Sequence, residues 1–150
     1  MAVKPVPDGY HTVTPYLTVR GAEKVIEFLK QAFGGESKET IKRPDGSVMH
    51  AQVKIGDSLV MIADESEMAK ATPSTLYLYV PNVDAMYQRA MKAGGKSIME
   101  PTDMFYGDRS SGVKDPSDNS WLLATHKEDV ELQELQKRAE LFYKERHKAA

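Results

Sequence analysis

The chain contains no cysteine, which removes disulfides, thiolate metal sites and cysteine nucleophiles together. It also has no apolar run near the roughly 18 residues that cross a bilayer. Met1-Ala2-Val3-Lys4-Pro5 lacks the apolar stretch of a signal peptide. A cytoplasmic protein with no membrane role is the resulting expectation. A basic excess is missing too: 20 Lys and Arg stand against 22 Asp and Glu, for a formal charge of −2. The electrostatic footprint of nucleic-acid binding is therefore absent. Neither a Gly-x-Ser-x-Gly elbow nor a phosphate-cradling glycine loop occurs. Only His11, His50, His126 and His147 offer imidazoles, so a metal would need these with Asp or Glu.

What is present is a duplicated pattern in a chain of 150 residues with ordinary globular composition. Tyr16-Leu17-Thr18-Val19 is echoed 61 positions later by Tyr77-Leu78-Tyr79-Val80, both strand-like. Each is followed by a helical stripe at i, i+3, i+4 and i+7: Ala22, Val25, Ile26 and Leu29, then Val83, Met86, Tyr87 and Ala90. Both stripes end in a glycine pair, Gly34-Gly35 and Gly94-Gly95, suited to left-handed caps. In the first half, 37–42, 48–55 and 59–63 read as strands, with a turn at Pro44-Asp45-Gly46. In the second, 97–100 stops at Pro101, and 109–114 and 120–125 flank a turn at 115–119. The order is βαβββ twice, in modules of about 12–63 and 75–126, with a linker over 64–73. These make one α+β domain, 1–126. Residues 127–150 lack Gly and Pro and should form an amphipathic helix with the stripe Leu132, Leu135, Ala139 and Phe142. That stripe packs on its own domain or on a second chain.

Several local motifs sit in this frame: Thr14-Pro15-Tyr16-Leu17, Ala32-Phe33-Gly34-Gly35, Pro44-Asp45-Gly46 before Met49-His50-Ala51, Met104-Phe105-Tyr106-Gly107-Asp108-Arg109, Val113-Lys114-Asp115-Pro116, and Trp121 with Ala124-Thr125-His126. In this order and spacing the chain resembles the vicinal oxygen chelate superfamily of glyoxalases, bleomycin-resistance proteins and extradiol dioxygenases, and within it the PhnB-like branch. The resemblance covers about residues 12–126. It implies two modules forming a half-open mixed eight-stranded sheet around a small-molecule cleft, and a homodimer. It also implies metal ligands on the first and last strands of each module. By strand position those places are Thr14, Met61, Thr75 and Leu122, none of them His, Glu or Gln. Two hydroxyls, a thioether and an alkyl chain do not hold Zn²⁺, Ni²⁺ or Fe²⁺. The expectation is therefore no metal cofactor, with a divalent metal at a displaced site as the alternative. Where the family has Asp-Pro-Phe-Gly, this chain has Asp115-Pro116-Ser117-Asp118, and Asp118 can take the left-handed turn position.

Strand alternation sorts the faces. Leu17 and Val19 should meet the first helix, which leaves Thr14, Tyr16 and Thr18 on the cupped side. Leu76, Leu78 and Val80 should meet the second, leaving Thr75, Tyr77 and Tyr79. Leu59, Met61 and Ala63 line the cup, and His50, Gln52 and Lys54 share one face. A floor of ring and thioether surface with a few polar handles suits a small apolar or aromatic ligand. The bland alternative is that the tyrosines merely fill a small barrel. His50 is the best single candidate for chemistry, against simple solvation; a site of His50 with Glu65 or Asp108 is the metal-binding version. His126 should serve only to begin the last helix, and His11 and His147 should do nothing specific. Gly107, taking a positive φ, would aim Tyr106, Asp108 and Arg109 at the pocket mouth. Asp108 would then be a base and Arg109 an anion clamp; equally, Asp108 or Asp115 pairs with Arg109 and fixes the loop. Three functions follow: ligand sequestration or sensing without metal, an enzyme of lyase or dioxygenase type, or a structural dimer module. The first is preferred.

Overall fold

A computed structural model describes residues 2–148; Met1 and the last two residues of the 127–150 segment lie outside the described residues. β1 (Tyr16–Val19) shows the expected alternation, with Leu17 and Val19 buried and Tyr16 open to solvent. Gly21 follows at φ 73° and turns the chain into α1 (Ala22–Phe33). A glycine has no side chain to cap a helix. The Asp64 carboxylate does this from another strand, accepting from the Ala22 and Val48 backbone N–H groups, each at 2.8 Å. At the other end Gly34, at φ 67°, and Gly35 donate to the Lys30 and Leu29 carbonyls, so the glycine pair is the expected cap.

β2 (Glu36–Lys42), β3 (Val48–Ile55) and β4 (Ser58–Asp64) complete the first module in the spatial order β1-β4-β3-β2, with β1 parallel to β4. The second module repeats the plan: β5 (Thr75–Tyr79), α2 (Val83–Lys92), β6 (Lys96–Asp103), β7 (Asp108–Lys114) and β8 (Ser120–His126), in the order β5-β8-β7-β6. The protein is α+β, and the eight strands among the described residues divide equally between two four-stranded mixed sheets. Each helix covers one face of its own sheet, and α1 also touches α2. One core therefore joins the modules, with Phe33 placing its ring 5.7 Å from Phe28 and 5.4 Å from Trp121. Such aromatic pairs add about 1 kcal/mol each beyond area burial. The other face of each sheet is left to the site.

Two expectations need correction. β6 does not stop before Pro101 but runs to Asp103. It is the outermost strand of its sheet, and its register shifts between Met99 and Thr102, so the missing proline N–H costs no ladder bond. The last helix, α3 (Leu132–Lys148), begins later than Lys127. Residues ahead of it are held elsewhere: Lys127 and Glu128 both donate their N–H to the Gly107 carbonyl, at 2.9 and 3.1 Å. α3 lies on its own domain, where Phe142 stacks 5.0 Å from Phe105 and Arg138 bonds Glu128 and the Phe105 carbonyl. Its stripe is only partly covered, since Leu132 remains 79% exposed. Among the described residues no helix is long and apolar enough to cross a membrane.

Candidate functional site

The faces opposite the helices carry the expected polar and aromatic residues, in two groups. On the first sheet the register sets Tyr16 beside Met61 and Met61 beside Gln52, three side chains in a row across β1, β4 and β3. Thr18 lies next along β1, and the His50 ring is 6.1 Å from that of Tyr16. Gln52 donates weakly to Glu39, at 3.4 Å. Thr14 precedes β1 and spends its hydroxyl on the His11 carbonyl. On the second sheet Tyr77 pairs with Leu122 and Leu122 with Gly112, while Tyr79 pairs with Ala124 and Ala124 with Ser110. Thr75 pairs with Ser120 at the strand's start.

These registers revise the chelating positions. The side chains beside Met61 and Leu122 are Tyr16 and Tyr77, rather than Thr14 and Thr75. The change does not help a metal. Two phenols, a thioether and an alkyl chain are a poor donor set, and burial pushes the Tyr77 phenol up, away from phenolate. Among the described residues no three His, Asp or Glu side chains converge on a common point. His50 with Glu65 or Asp108 is not such a group. Glu65 binds Arg20 at 2.7 Å and the Ala71 N–H, and Asp108 belongs to the other sheet.

The second sheet holds a hydrogen-bonded cluster that sequence reasoning did not assemble. Asp108 is 5% exposed, yet one of its oxygens accepts from Tyr77 Oη at 2.7 Å and Tyr79 Oη at 3.3 Å. The other faces His126 Nδ1 at 2.7 Å. Burial alone would raise the Asp108 pKa; the bonds from His126, Tyr77 and Tyr79 outweigh it and hold the group below its ordinary value. His126 Nε2 meets Asp129 at 2.7 Å, so both ring nitrogens face carboxylates and both must carry protons. Its pKa is accordingly raised, by Asp108 first and Asp129 second. The Asp108 charge likewise pushes up the Tyr79 phenol. Ser110 extends the cluster, with its Oγ 3.2 Å from Tyr77 Oη and 3.3 Å from Tyr106 Oη. His126 was expected only to begin a helix. The sequence did hold a signal: counting outward from the 115–119 turn pairs 114 with 120 and hence 108 with 126.

Arg109 is not an anion clamp. Alternation sends it to the face opposite Asp108, where Nε and Nη2 grip both oxygens of Asp84 on α2 at 2.8 and 2.9 Å, and Nη1 reaches Asp103 at 3.2 Å. Its partners are therefore Asp84 and Asp103, not Asp108 or Asp115. Asp115 is instead buried under the β7–β8 turn, accepting from Ser117 N, Asn119 N, Asn119 Nδ2 and Trp121 Nε1. Gly107 does take a positive φ, 100°, and Asp118 the left-handed position at φ 64°.

A cavity of about 880 Å³ lies between the modules. It follows residues 74–81 along β5 and is closed on the other side by Tyr16 and the β3–β4 turn, with Phe33 and Trp121 in its floor. It brings Tyr16, Thr75, Tyr77 and Tyr79 to one space; Thr18, His50, Gln52, Met61 and Leu122 stand on strands outside its lining, and Tyr106 in the turn between β6 and β7. The volume is in the range of small-molecule sites.

Comparison with known proteins agrees with this layout. The chain is 31% identical over 135 residues to an uncharacterized protein of Mycobacterium bovis, covering 83% of this chain and 89% of that one. Its fold is similar to that of TnmS3, an antibiotic binding protein from Streptomyces sp. CB03234, at TM-score 0.64 and 21% identity over 85% of this chain and 99% of the other. It is similar as well to a PhnB protein from Bacillus cereus, at TM-score 0.62 and 19% identity over 77% and 99%. Residues 10–123 match the Glyoxalase/Bleomycin resistance protein/Dioxygenase superfamily, and the chain belongs to it.

Proposed function

We propose that this protein binds an apolar or aromatic small molecule, as a homodimer and without a chelated metal. The observation that carries the reading is the 880 Å³ cavity between the modules, lined by Tyr16, Phe33, Leu76, Tyr77, Tyr79 and Met86 among others. The missing donors at the chelating positions support the metal-free part. The fold shared with TnmS3, an antibiotic binding protein, supports small-molecule binding. Acid–base catalysis gains nothing from Asp108, whose oxygens are already occupied by three donors, or from Arg109, which faces away. The homodimer is supported by what α3 leaves open: Leu132 is 79% exposed and Leu141 59%, apolar surface that a second copy would cover.

Trp121 supplies the test, because it is the sole tryptophan and lies in the cavity floor. Titration with 1-naphthol should change its emission saturably, and Tyr77→Ala should weaken binding about tenfold. No change in emission and no heat by calorimetry would overturn the binding role. Purified protein carrying one divalent metal per chain, with a melting temperature that EDTA lowers, would overturn the metal-free part. A monomeric mass by light scattering would remove the dimer.

A further inference from the structure

The direction of every proton in the Asp108 cluster can be worked out, and it decides which chemistry the second sheet can recognise. The Asp108 carboxylate can only accept, so Tyr77 and Tyr79 must each donate their single hydroxyl proton to it. Tyr77 then has no proton left for Ser110, and the 3.2 Å contact between them requires Ser110 to donate to Tyr77. Ser110 in turn has no proton left for Tyr106, so the 3.3 Å contact requires Tyr106 to donate to Ser110. A one-way chain results: Tyr106 to Ser110 to Tyr77 to Asp108, joined at its end by Tyr79 and His126. All three phenols spend their protons inward. What they retain outward is lone pairs, on Tyr79 and Tyr106 above all, since neither accepts a bond from the protein among the described residues.

Resting on the small-molecule reading above, we infer that the open face of the second sheet selects ligands whose polar end is a proton donor, best a protonated amine on an aromatic body, and discriminates against carboxylates, sulfonates and phosphates. An anionic group would meet phenol oxygens with no proton to offer, in front of a buried carboxylate. An ammonium group meets acceptors and gains further from the ring faces. Those faces are available: the Tyr77 and Tyr79 rings stand 5.2 Å apart at 59°, and Tyr79 is 68% exposed. Reversing the chain would leave the buried Asp108 carboxylate facing lone pairs, so the selectivity belongs to the fold and not to a hydroxyl that rotates freely.

The test is a matched naphthalene series read by Trp121 fluorescence and calorimetry: 1-naphthylmethylammonium, 1-naphthol, 1-methoxynaphthalene and 1-naphthoate. The expected order of affinity is ammonium, naphthol, methoxy ether, carboxylate, with at least tenfold between first and last. The double variant Tyr79→Phe/Tyr106→Phe keeps the rings and removes the acceptors at two surface-accessible positions, so it should fold; in it the ammonium should fall to the level of the methoxy ether. Asp108→Asn should compress the series as well. Equal affinities, a preference for naphthoate, or an unchanged order in the double variant would overturn this inference alone. Binding of none of the four would overturn the small-molecule reading and this inference with it.

Discussion

Replacing Asp115 should cost this fold more than any other single carboxylate change at the site, and the size of the loss can be worked out bond by bond. One oxygen of Asp115 accepts from the backbone N–H groups of Ser117 and Asn119, at 2.7 and 3.1 Å, and so closes the β7–β8 turn. The other accepts from Asn119 Nδ2 and Trp121 Nε1, both at 2.9 Å. Asn119 is 1% exposed and Trp121 0%, so water does not replace the lost acceptor. Each of these two buried donors left without a partner costs about 1–3 kcal/mol, and each turn bond about 0.5–1 kcal/mol. Asp115→Ala should therefore lose about 3–8 kcal/mol, a fall in melting temperature of roughly 10 °C or more for a chain of this size. Asp115→Asn separates the two oxygens' roles. Its carbonyl can still serve the turn, but its amide sets N–H against the N–H of Trp121 and Asn119, so it should lose about 2–6 kcal/mol despite equal shape. Urea unfolding followed by Trp121 emission and by circular dichroism gives both values. A loss under about 1 kcal/mol for Asp115→Asn would show that the indole N–H does not depend on this carboxylate, and the reasoning would fail.

Arg109→Ala should leave 1-naphthol affinity unchanged while costing roughly 1 kcal/mol of stability, as expected of a partly exposed ion pair; a tenfold loss of affinity by calorimetry would restore the clamp. Gly107→Ala should destabilise by several kcal/mol, because a methyl group there collides with the Glu128 carbonyl at a φ of 100° that alanine avoids; a melting temperature within about 2 °C of the parent would contradict it. His126 makes stability pH-dependent in a defined sense. Its folded pKa is raised by Asp108 and Asp129, so its contribution is complete below the unfolded value of about 6.5 and fades as pH rises through the higher folded value. His126→Gln should therefore show a melting temperature that falls less steeply than the parent's above about pH 6.5, and parallel curves would refute the pairing.

The readable part of the fold was whatever depends on short sequence distances. The period of 61 residues, the apolar stripes and the paired glycines each report contacts within one strand or helix, and α1, α2 and the burial of Leu17 and Val19 followed. Pairings across the sheet were harder, because they depend on register and on which face a side chain takes. Arg109 illustrates the limit: its partners Asp84 and Asp103 stand 25 and 6 residues away, on a helix and an edge strand whose approach nothing local announces. The start of α3 was obscured likewise, since the segment before it bonds to Gly107 rather than to itself.

The Asp108 cluster falls between these cases, and it shows where the sequence carries more than residue types suggest. Asp108, Ser110 and His126 look unremarkable one at a time, and a lone histidine at a strand end is usually solvated. Alternation puts 108 and 110 on one face of β7. The turn at 115–119, once accepted as a tight hairpin, sets 108 against 126 and 110 against 124, next to Tyr79 in the neighbouring strand β5. The bonding then follows from valence, since one carboxylate surrounded by hydroxyls and an imidazole fixes where every proton goes. At the chelating positions the same register logic gives the opposite result. Tyr16 with Met61 and Tyr77 with Leu122 present ring, thioether and alkyl surface where the superfamily's resemblance implies metal ligands. The chain thus keeps the fold's paired sheets while its polar chemistry is displaced to the far end of β7 and β8. On the metal-free proposal, recognition at this site is governed by the Asp108 proton chain and the rings in front of it.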